Sequence, residues 1–464
     1  MEQLGIDNAL TAQKAFFRKG TTLELSYRED ALNKLKKTLI DSEQDIIAAL
    51  KSDLRKPDME CYTSEIGMVI QETQYVLSNL KKWAKPEKVK SGILDVASKN
   101  YILKEPYGSA LIIGPWNFPL QLTLVPLVGA IAAGNCAIVK PSELAKATSG
   151  VLAKIVRSAF EDGHVTVIEG GVEVSSYLLD QQFDTIFFTG SPRVGKIVME
   201  KAAKYLTPVT LELGGKNPCI IDKDVDIEIT AKRILWGKYL NSGQTCIAPD
   251  YLIVHHEVKE KLYKALEVWV RKFFGEAPKD SPDLARMINQ DHFNRVVNYM
   301  NEGKIIFGGE YDQQDLFITP TVVEVESLDK PIMQEEIFGP VLPAMTFSSF
   351  EDVREIVYRN PNPLAAYLFS RDKTLIECFL QKIPFGGGCI NDTIGHILLH
   401  ELPFGGRGSS GIGCYHGKHS FDTFTHKKAI LEKNFLFDLP VKYPPYGDKA
   451  KYVRMQVMKK NMKE

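Results

Sequence analysis

Five short runs constrain this chain more than any other feature: SALIIGP from Ser109, CAIVKP from Cys136, VTVIEG from Val165, DTIFFTG from Asp184 and PVTLELGG from Pro208. Each is rich in β-forming residues and each ends in Gly or Pro. Amphipathic segments of helical length separate them. Strands alternating with helices predict a parallel sheet with crossovers, a doubly wound α/β architecture of the Rossmann type. Ligands of such a sheet gather beyond the carboxyl ends of the strands, and those ends carry PWNFP, KPSE, FTGSPRVG and ELGGK. Ahead of this region, apolar spacing near 3.6 predicts Lys- and Glu-rich helices from about Leu32 to Trp83. A polar, strand-forming stretch, Lys85–Pro106, reads as an arm or edge hairpin. A second α/β section runs from Gly215 to about Pro403, and a strand is expected over Phe424–Leu431.

With 464 residues, 44% of them hydrophobic, the chain has enough apolar surface for more than one domain. Its net charge of −1 provides no global field for nucleic acid. The first residues, MEQLGIDNALTAQKAFF, lack the basic-then-apolar layout of a signal peptide. The most apolar window, Leu120–Val139, is interrupted by Pro126, Gly129, Gly134 and Asn135, which argues against a membrane span. Seven scattered cysteines without CxxC spacing read as free thiols of a reducing, cytoplasmic compartment.

Residue types at the strand ends leave several readings open. The loop Gly190–Lys196 has the glycine spacing of a triphosphate loop, but Ile197 stands where a Mg²⁺-binding hydroxyl belongs. It is either a pyrophosphate cradle at a helix N-terminus or an ordinary turn. Lys140 and Glu143 could hold a ribose, the acid preferring a free 2′-OH, or form a solvated turn. Cys246 lies in the Gly-, Gln- and Thr-containing NSGQTCIAPDY. An inert buried thiol and a nucleophile are both compatible with that setting. Glu212 ends a strand just before Gly214 and Gly215, and Asn117 offers a carboxamide suited to an oxyanion. Cys414, His416 and His419 lie close in sequence but lack a fourth ligand at suitable spacing, so no metal is expected. His396 and His400 read as loop residues near a substrate mouth. Residues 449–464 carry six basic side chains and read as a solvated tail, with weak contact to anionic lipid as the alternative.

PWNFP, AAGN with KPSE, FTGS, LELGGK, GQTC, EEIFGP and LPFGG occur in that order. Together they resemble the aldehyde dehydrogenase superfamily from about Ala31 to Lys428. GQTCIAPDY and the tail GCYHGKHSFDTFTHKK are similar to its class 3 branch, which includes fatty and aromatic aldehyde dehydrogenases. The resemblance implies Cys246 as nucleophile, Glu212 as general base, and Asn117 with the Cys246 N–H as oxyanion hole. It implies NAD, with NADP not excluded, held by Lys140, Glu143, Gly190, Ser191, Pro192, Arg193, Val194, Gly195, Leu213, Glu336 and Phe338. An aldehyde would become a carboxylic acid through a thiohemiacetal and a thioester. The alternatives are a CoA-acylating enzyme and a non-catalytic scaffold on the same fold. Implied domains are a cofactor domain (1–84 and 107–213), a catalytic domain (214–404), subunit-bridging elements of a homodimer (85–106 and 405–440) and the basic tail (441–464). Arg407 stands where the family commonly has a small or apolar residue, so substrate preference does not transfer from relatives.

Overall fold

The computed structural model describes residues 2–90, 98–436 and 438–461. Among them, strands β1 (Glu87–Val89) and β2 (Ser98–Pro106) form the expected arm. The five diagnostic runs become β3 (Ser109–Ile113), β4 (Cys136–Lys140), β5 (Val165–Val167), β6 (Thr185–Thr189) and β7 (Val209–Glu212). The second section supplies β8 (Pro218–Ile221), β9 (Tyr251–His255), β10 (Lys304–Phe307), β11 (Tyr311–Asp312) and β12 (Phe317–Ile318). It continues with β13 (Thr321–Glu324), β14 (Val341–Phe347), β15 (Ala365–Phe369) and β16 (Gly387–Ile390), and β17 (Gly411–Ile412) and β18 (Thr425–Lys433) follow.

One sheet has the order β17-β7-β6-β3-β4-β5. All of its pairings are parallel except β17 with β7. The chain lays down β3, β4 and β5 to one side, then returns to place β6 and β7 on the other. The switch point therefore lies between β3 and β6, with PWNFP and FTGS side by side at its carboxyl end. A second sheet, β10-β13-β14-β9-β8-β15-β16, is parallel apart from the β10–β13 pair. Strands buried on both faces of a parallel sheet read as continuous apolar runs, as SALII and CAIVK do. Each sheet has its own apolar core, one around Leu111, Ile138 and Ile186, the other around Ile253, Val341 and Leu368.

The chain divides into two compact units. The larger, residues 1–83 and 106–425, holds both large sheets. It includes residues 405–424, which the sequence grouped with the bridging strands, because β17 pairs with β7 in the register Gly411↔Glu212. The smaller, residues 84–105 and 426–464, contains the β1-β2-β18 sheet and a terminal helix, Lys449–Asn461.

Helices begin earlier than the periodicity suggested. Glu2–Arg18 packs Ile6 and Leu10 against the first sheet, and Gln13 reaches the Ala137 carbonyl. The apolar window forms the helix Gln121–Ala133, buried on every side, so its hydrophobicity serves the core. Among the described residues no helix is long and apolar enough to cross a membrane.

That helix ends at Gly134, left-handed at φ +95°, where an added Cβ would lie 2.8 Å from the Arg28 guanidinium. Buried Arg28 donates to the carbonyls of Thr22, Leu23 and Ala132. Gly134→Ala should therefore destabilise the protein by about 1–3 kcal/mol in denaturant unfolding; an unchanged unfolding midpoint would contradict this packing.

Candidate active site

Three consecutive residues before the thiol, Asn241, Ser242 and Gly243, are left-handed, at φ of 53°, 54° and 76°. Non-glycine residues enter that region only when their surroundings hold them there. Here the Asn241 side-chain nitrogen donates to the carbonyls of Asn117 (2.8 Å) and Gln244 (3.2 Å). Gln244 in turn bonds Asn241, Arg286 and Ile288. The turn delivers Cys246 to the amino-terminal side of β9, where Asn217 donates to the carbonyls of Cys246 (2.7 Å) and Ala248 (3.0 Å). The sequence singled out Cys246; the turn that aims it was not legible there.

Cys246 is partly exposed and lies between two cavities. One, about 240 Å³, sits over the switch point. Its walls take Trp116 and Asn117 after β3, Thr189, Gly190 and Ser191 at the end of β6, Glu212, Leu213 and Gly214 at the end of β7, and Glu336 and Phe338. The other, about 700 Å³, is mainly apolar, with Phe118, Leu122, Trp236, Phe273, Phe274 and Leu398 in its wall. Cys246 and Leu122 face both.

The smaller cleft contains polar atoms without partners. Both Glu212 carboxylate oxygens, Thr189 Oγ1 and Glu336 Oε1 are buried and unbonded by protein. Burial drives the Glu212 carboxyl far above the usual carboxylate range. Glu336 is pushed up to about 8, by burial first and then by the Asp250 charge, against a backbone hydrogen bond from Gly215. Burial also raises the Cys246 thiol, with the charges of Glu336 and Glu212 adding to the effect and backbone amides opposing it. The surroundings thus disfavour the thiolate, and the sulfur stands within electrostatic reach of two carboxyl groups. Asn117 spends one amide hydrogen on the Gln244 carbonyl at 3.0 Å, which fixes the plane of its side chain.

The remaining expected cofactor residues lie at two strand ends. Buried Lys140 pairs with Glu143 at 2.5 Å. Burial opposes ionisation of Glu143, but the Lys140 hydrogen bond and charge, with a backbone hydrogen bond, prevail and lower its pKa. Ser191 caps the helix Pro192–Ala203, accepting from the Val194 N–H at 3.4 Å. Arg193 lies in the first turn of that helix, and Gly195 packs where an added Cβ would meet Leu213 at 2.7 Å. At Gly214 a Cβ would lie 2.0 Å from Glu336 Oε2, so the glycine gives the carboxylate its place. Phe338 is left-handed at φ 50° and meets Trp116 edge-on at 5.3 Å.

Other motifs take different places. Ile394, Ile397 and Leu398 face the larger cavity, while His396 stacks on Phe404 and His400 pairs with Glu72 at 2.7 Å. His416 also stacks on Phe404 and is held near pKa 4, chiefly by burial. Cys414 and His419 approach to 3.9 Å. Arg407 is exposed in the turn before β17. Sequence reasoning missed His292 and Arg295, one turn apart on the helix Gln290–Tyr299, as well as Tyr415 and Phe404 in the smaller cleft and Glu60 in the larger. Burial pushes Glu60 up to about 7. Only a shared helix face linked His292 to Arg295, a spacing too common to indicate a site.

A family profile described as "Aldehyde dehydrogenase family" matches residues 2–430. The chain is 44% identical over 451 residues to a 4,4'-diaponeurosporen-aldehyde dehydrogenase of Staphylococcus aureus, covering 97% of this chain and 98% of the relative. It is 43% identical to mouse aldehyde dehydrogenase family 3 member B1, with 97% of each chain covered. A solved structure of Staphylococcus aureus AldH, described as a substrate-bound state, superposes with a TM-score of 0.96 at 43% identity, covering 97% of this chain and 99% of that one. An NAD-dependent aldehyde dehydrogenase from Sinorhizobium meliloti superposes at 0.85 with 28% identity, covering 94% and 89%. With its sheet order, its cleft and these likenesses in agreement, the chain belongs to the aldehyde dehydrogenase family.

Proposed function

We propose that this chain oxidises aldehydes to carboxylic acids with NAD⁺ as cofactor, NADP⁺ being the alternative, through a thioester on Cys246. The observation that carries the reading is the thiol shared by two cavities, with an unbonded carboxylate and an anchored carboxamide in the wall of one of them.

The smaller cleft fits a dinucleotide. Its orphaned Thr189 and Glu336 oxygens and the capped helix start at Gly190 and Ser191 offer partners for ribose and pyrophosphate. Pro192, Arg193, Val194 and Gly195 form the first turn of that helix, Leu213 and Phe338 supply apolar walls, and Lys140 with Glu143 serves the adenosine ribose. A lysine paired to that acid softens the repulsion of a 2′-phosphate, which keeps NADP⁺ open. When bound, the nicotinamide supplies the acceptor for the two electrons released as the adduct becomes a thioester.

The protein supplies the rest. The sulfur of Cys246 bonds to the carbonyl carbon as the C=O π bond breaks to an oxyanion, the thiol proton leaving to solvent water in the cleft. This covalent capture divides one difficult oxidation into two steps. Asn117 and the Cys246 N–H stabilise the oxyanion. Glu212, whose raised pKa makes it a stronger base once ionised, takes a proton from the water that hydrolyses the thioester. A base in this place would waste the thioester of a CoA-acylating enzyme. The aromatic and aliphatic wall of the larger cavity suits medium- or long-chain aliphatic or aromatic aldehydes.

The small unit supports a homodimer. β1 is exposed along its length, and Leu431 of β18 is about half exposed, so this sheet does not bury a core of its own. In the terminal helix, about 3.6 residues per turn spread Tyr452, Val453, Met455 and Met458 over all sides. That distribution favours a solvated tail over a membrane-seated one. Free thiols at all seven cysteines favour a reducing, cytoplasmic setting.

Glu212→Gln should release one reduced nicotinamide per active subunit and then nearly stop, as read by rapid-mixing absorbance with an aldehyde and no CoA. Steady turnover at the native rate would remove Glu212 from the base role. The same substitution should raise Tm, by a margin that grows from about pH 5 to about pH 8. Burial lifts the folded carboxyl above its unfolded pKa of ~4.3, so native stability falls as pH rises past that value, and Gln does not ionise. A margin independent of pH would refute the buried-carboxyl picture. Light scattering at micromolar concentration should give twice the chain mass; a monomer would contradict the bridging role of the small sheet.

A further inference from the structure

Two fully buried charges lie beneath the oxyanion donor and belong to no step above. Lys56 and Glu65 pair at 2.6 Å with both side chains inaccessible to solvent. The Lys56 ammonium also donates to the backbone carbonyl of Asn117 at 3.1 Å and lies 4.1 Å from the centre of the Phe118 ring. Glu65 Oε2 accepts from the backbone N–H groups of Leu120 (3.1 Å) and Gln121 (2.9 Å), at the start of the helix Gln121–Ala133. The segment from Gly114 to Leu120 is irregular, so its backbone relies on such outside partners. The pair thus grips it at the Asn117 carbonyl and again at the Leu120 and Gln121 N–H groups. Glu65 itself sits in a π-helical turn, Tyr62–Ile66, a local widening that is frequent at functional sites.

We propose that the Lys56–Glu65 ion pair is a positioning device that holds Asn117 in register with Cys246. The proposal rests on the reading of Asn117 as oxyanion donor. A buried ion pair is a poor way to gain stability, since apolar residues of similar volume do as well or better. It is a good way to fix a backbone, because an ammonium and a carboxylate impose direction on every N–H and C=O they bond. Asn117 needs that precision: its carbonyl is bonded by Lys56 and by Asn241, and its side chain by the Gln244 carbonyl. Lys56 touches neither cavity's reacting atoms in this arrangement; it acts through the peptide it holds.

The test is a double-mutant cycle between the pair and Asn117, read with octanal and NAD⁺ as kcat, KM and the single-turnover rate of NADH formation. Asn117→Ala should lower the single-turnover rate by about 10²–10³-fold. Lys56→Met/Glu65→Gln is the informative partner. It removes both charges together, while the carbonyl oxygen of the introduced amide can still accept from Leu120 and Gln121. It should fold with near-native Tm and NAD⁺ affinity, and still lose at least about tenfold in kcat with little change in KM, since a misplaced donor weakens the transition state. In the Asn117→Ala background the same double change should cost no more than about twofold further. Native kcat in the folded double variant, or the full loss repeated in the Asn117→Ala background, overturns the positioning role while leaving the oxyanion reading intact. Undiminished single-turnover rate in Asn117→Ala alone overturns both. Should the double variant not fold, Lys56→Arg, which keeps the charge but not its shape, enters the same cycle, and the same outcomes support or overturn the proposal.

Discussion

The side-chain amide of Asn241 bridges the carbonyls of Asn117 and Gln244, at 2.8 and 3.2 Å, and so ties a loop of one sheet to a loop of the other. The Asn117 amide closes the figure by donating back to Gln244. Because Asn241 and Ser242 are left-handed, the chain reverses sharply enough to bring Cys246 to this junction within a few residues. Gly243 completes the turn where a Cβ would lie 2.3 Å from the Gly339 carbonyl, so the Glu336–Phe338 loop is pressed against the same knot. A shift in any of these elements would move Cys246 and Asn117 relative to each other. These hydrogen bonds hold Asn241 and Ser242 in a backbone conformation that such residues seldom adopt.

Around the knot the protein keeps groups in forms that water would not favour. Glu212 and Glu336 are desolvated carboxyls with open oxygens, and Cys246 is a thiol whose ionisation burial resists. Nearby charges are compensated: Lys216 pairs with Asp250 at 2.6 Å and Lys56 with Glu65 at 2.6 Å. Glu212, Glu336 and Cys246 line the smaller cavity, whereas the Lys216–Asp250 and Lys56–Glu65 pairs line neither of the two cavities at Cys246. A buried carboxyl without a partner costs stability when ionised and is a stronger base for the same reason.

The five Gly- or Pro-terminated runs specified the first sheet because they are β-rich and alternate with helical segments, and SALII and CAIVK are apolar on both faces, as a parallel strand covered by helices requires. Cys246, Glu212 and Asn117 were legible for a related reason: they occupy strand ends and turns, where the sequence departs from its apolar rhythm. All three meet at the smaller cleft. His292 and Arg295 gave no such departure, being polar residues on an ordinary amphipathic helix. Neither did Lys56, in the short link Arg55–Pro57 between two helices, nor Glu65, in the π-helical turn: both belong to a charged stretch like many solvated ones and yet are fully buried. The early start of the helices was missed because the segment Glu2–Arg18 buries only a narrow stripe, chiefly Ile6, Leu10 and Gln13.

What the sequence determined by itself was periodicity and punctuation: which segments are strands, where they end, and which reactive side chains stand at those ends. These are short-range properties, set by side-chain alternation and by backbone freedom at Gly and Pro. Tertiary structure alone decided which charges would lose their water, that Gly411 and Ile412 would pair with the edge of the first sheet beside Glu212, and that one thiol would face two cavities. Those outcomes depend on desolvation and on contacts between residues far apart along the chain, and no local pattern encodes either.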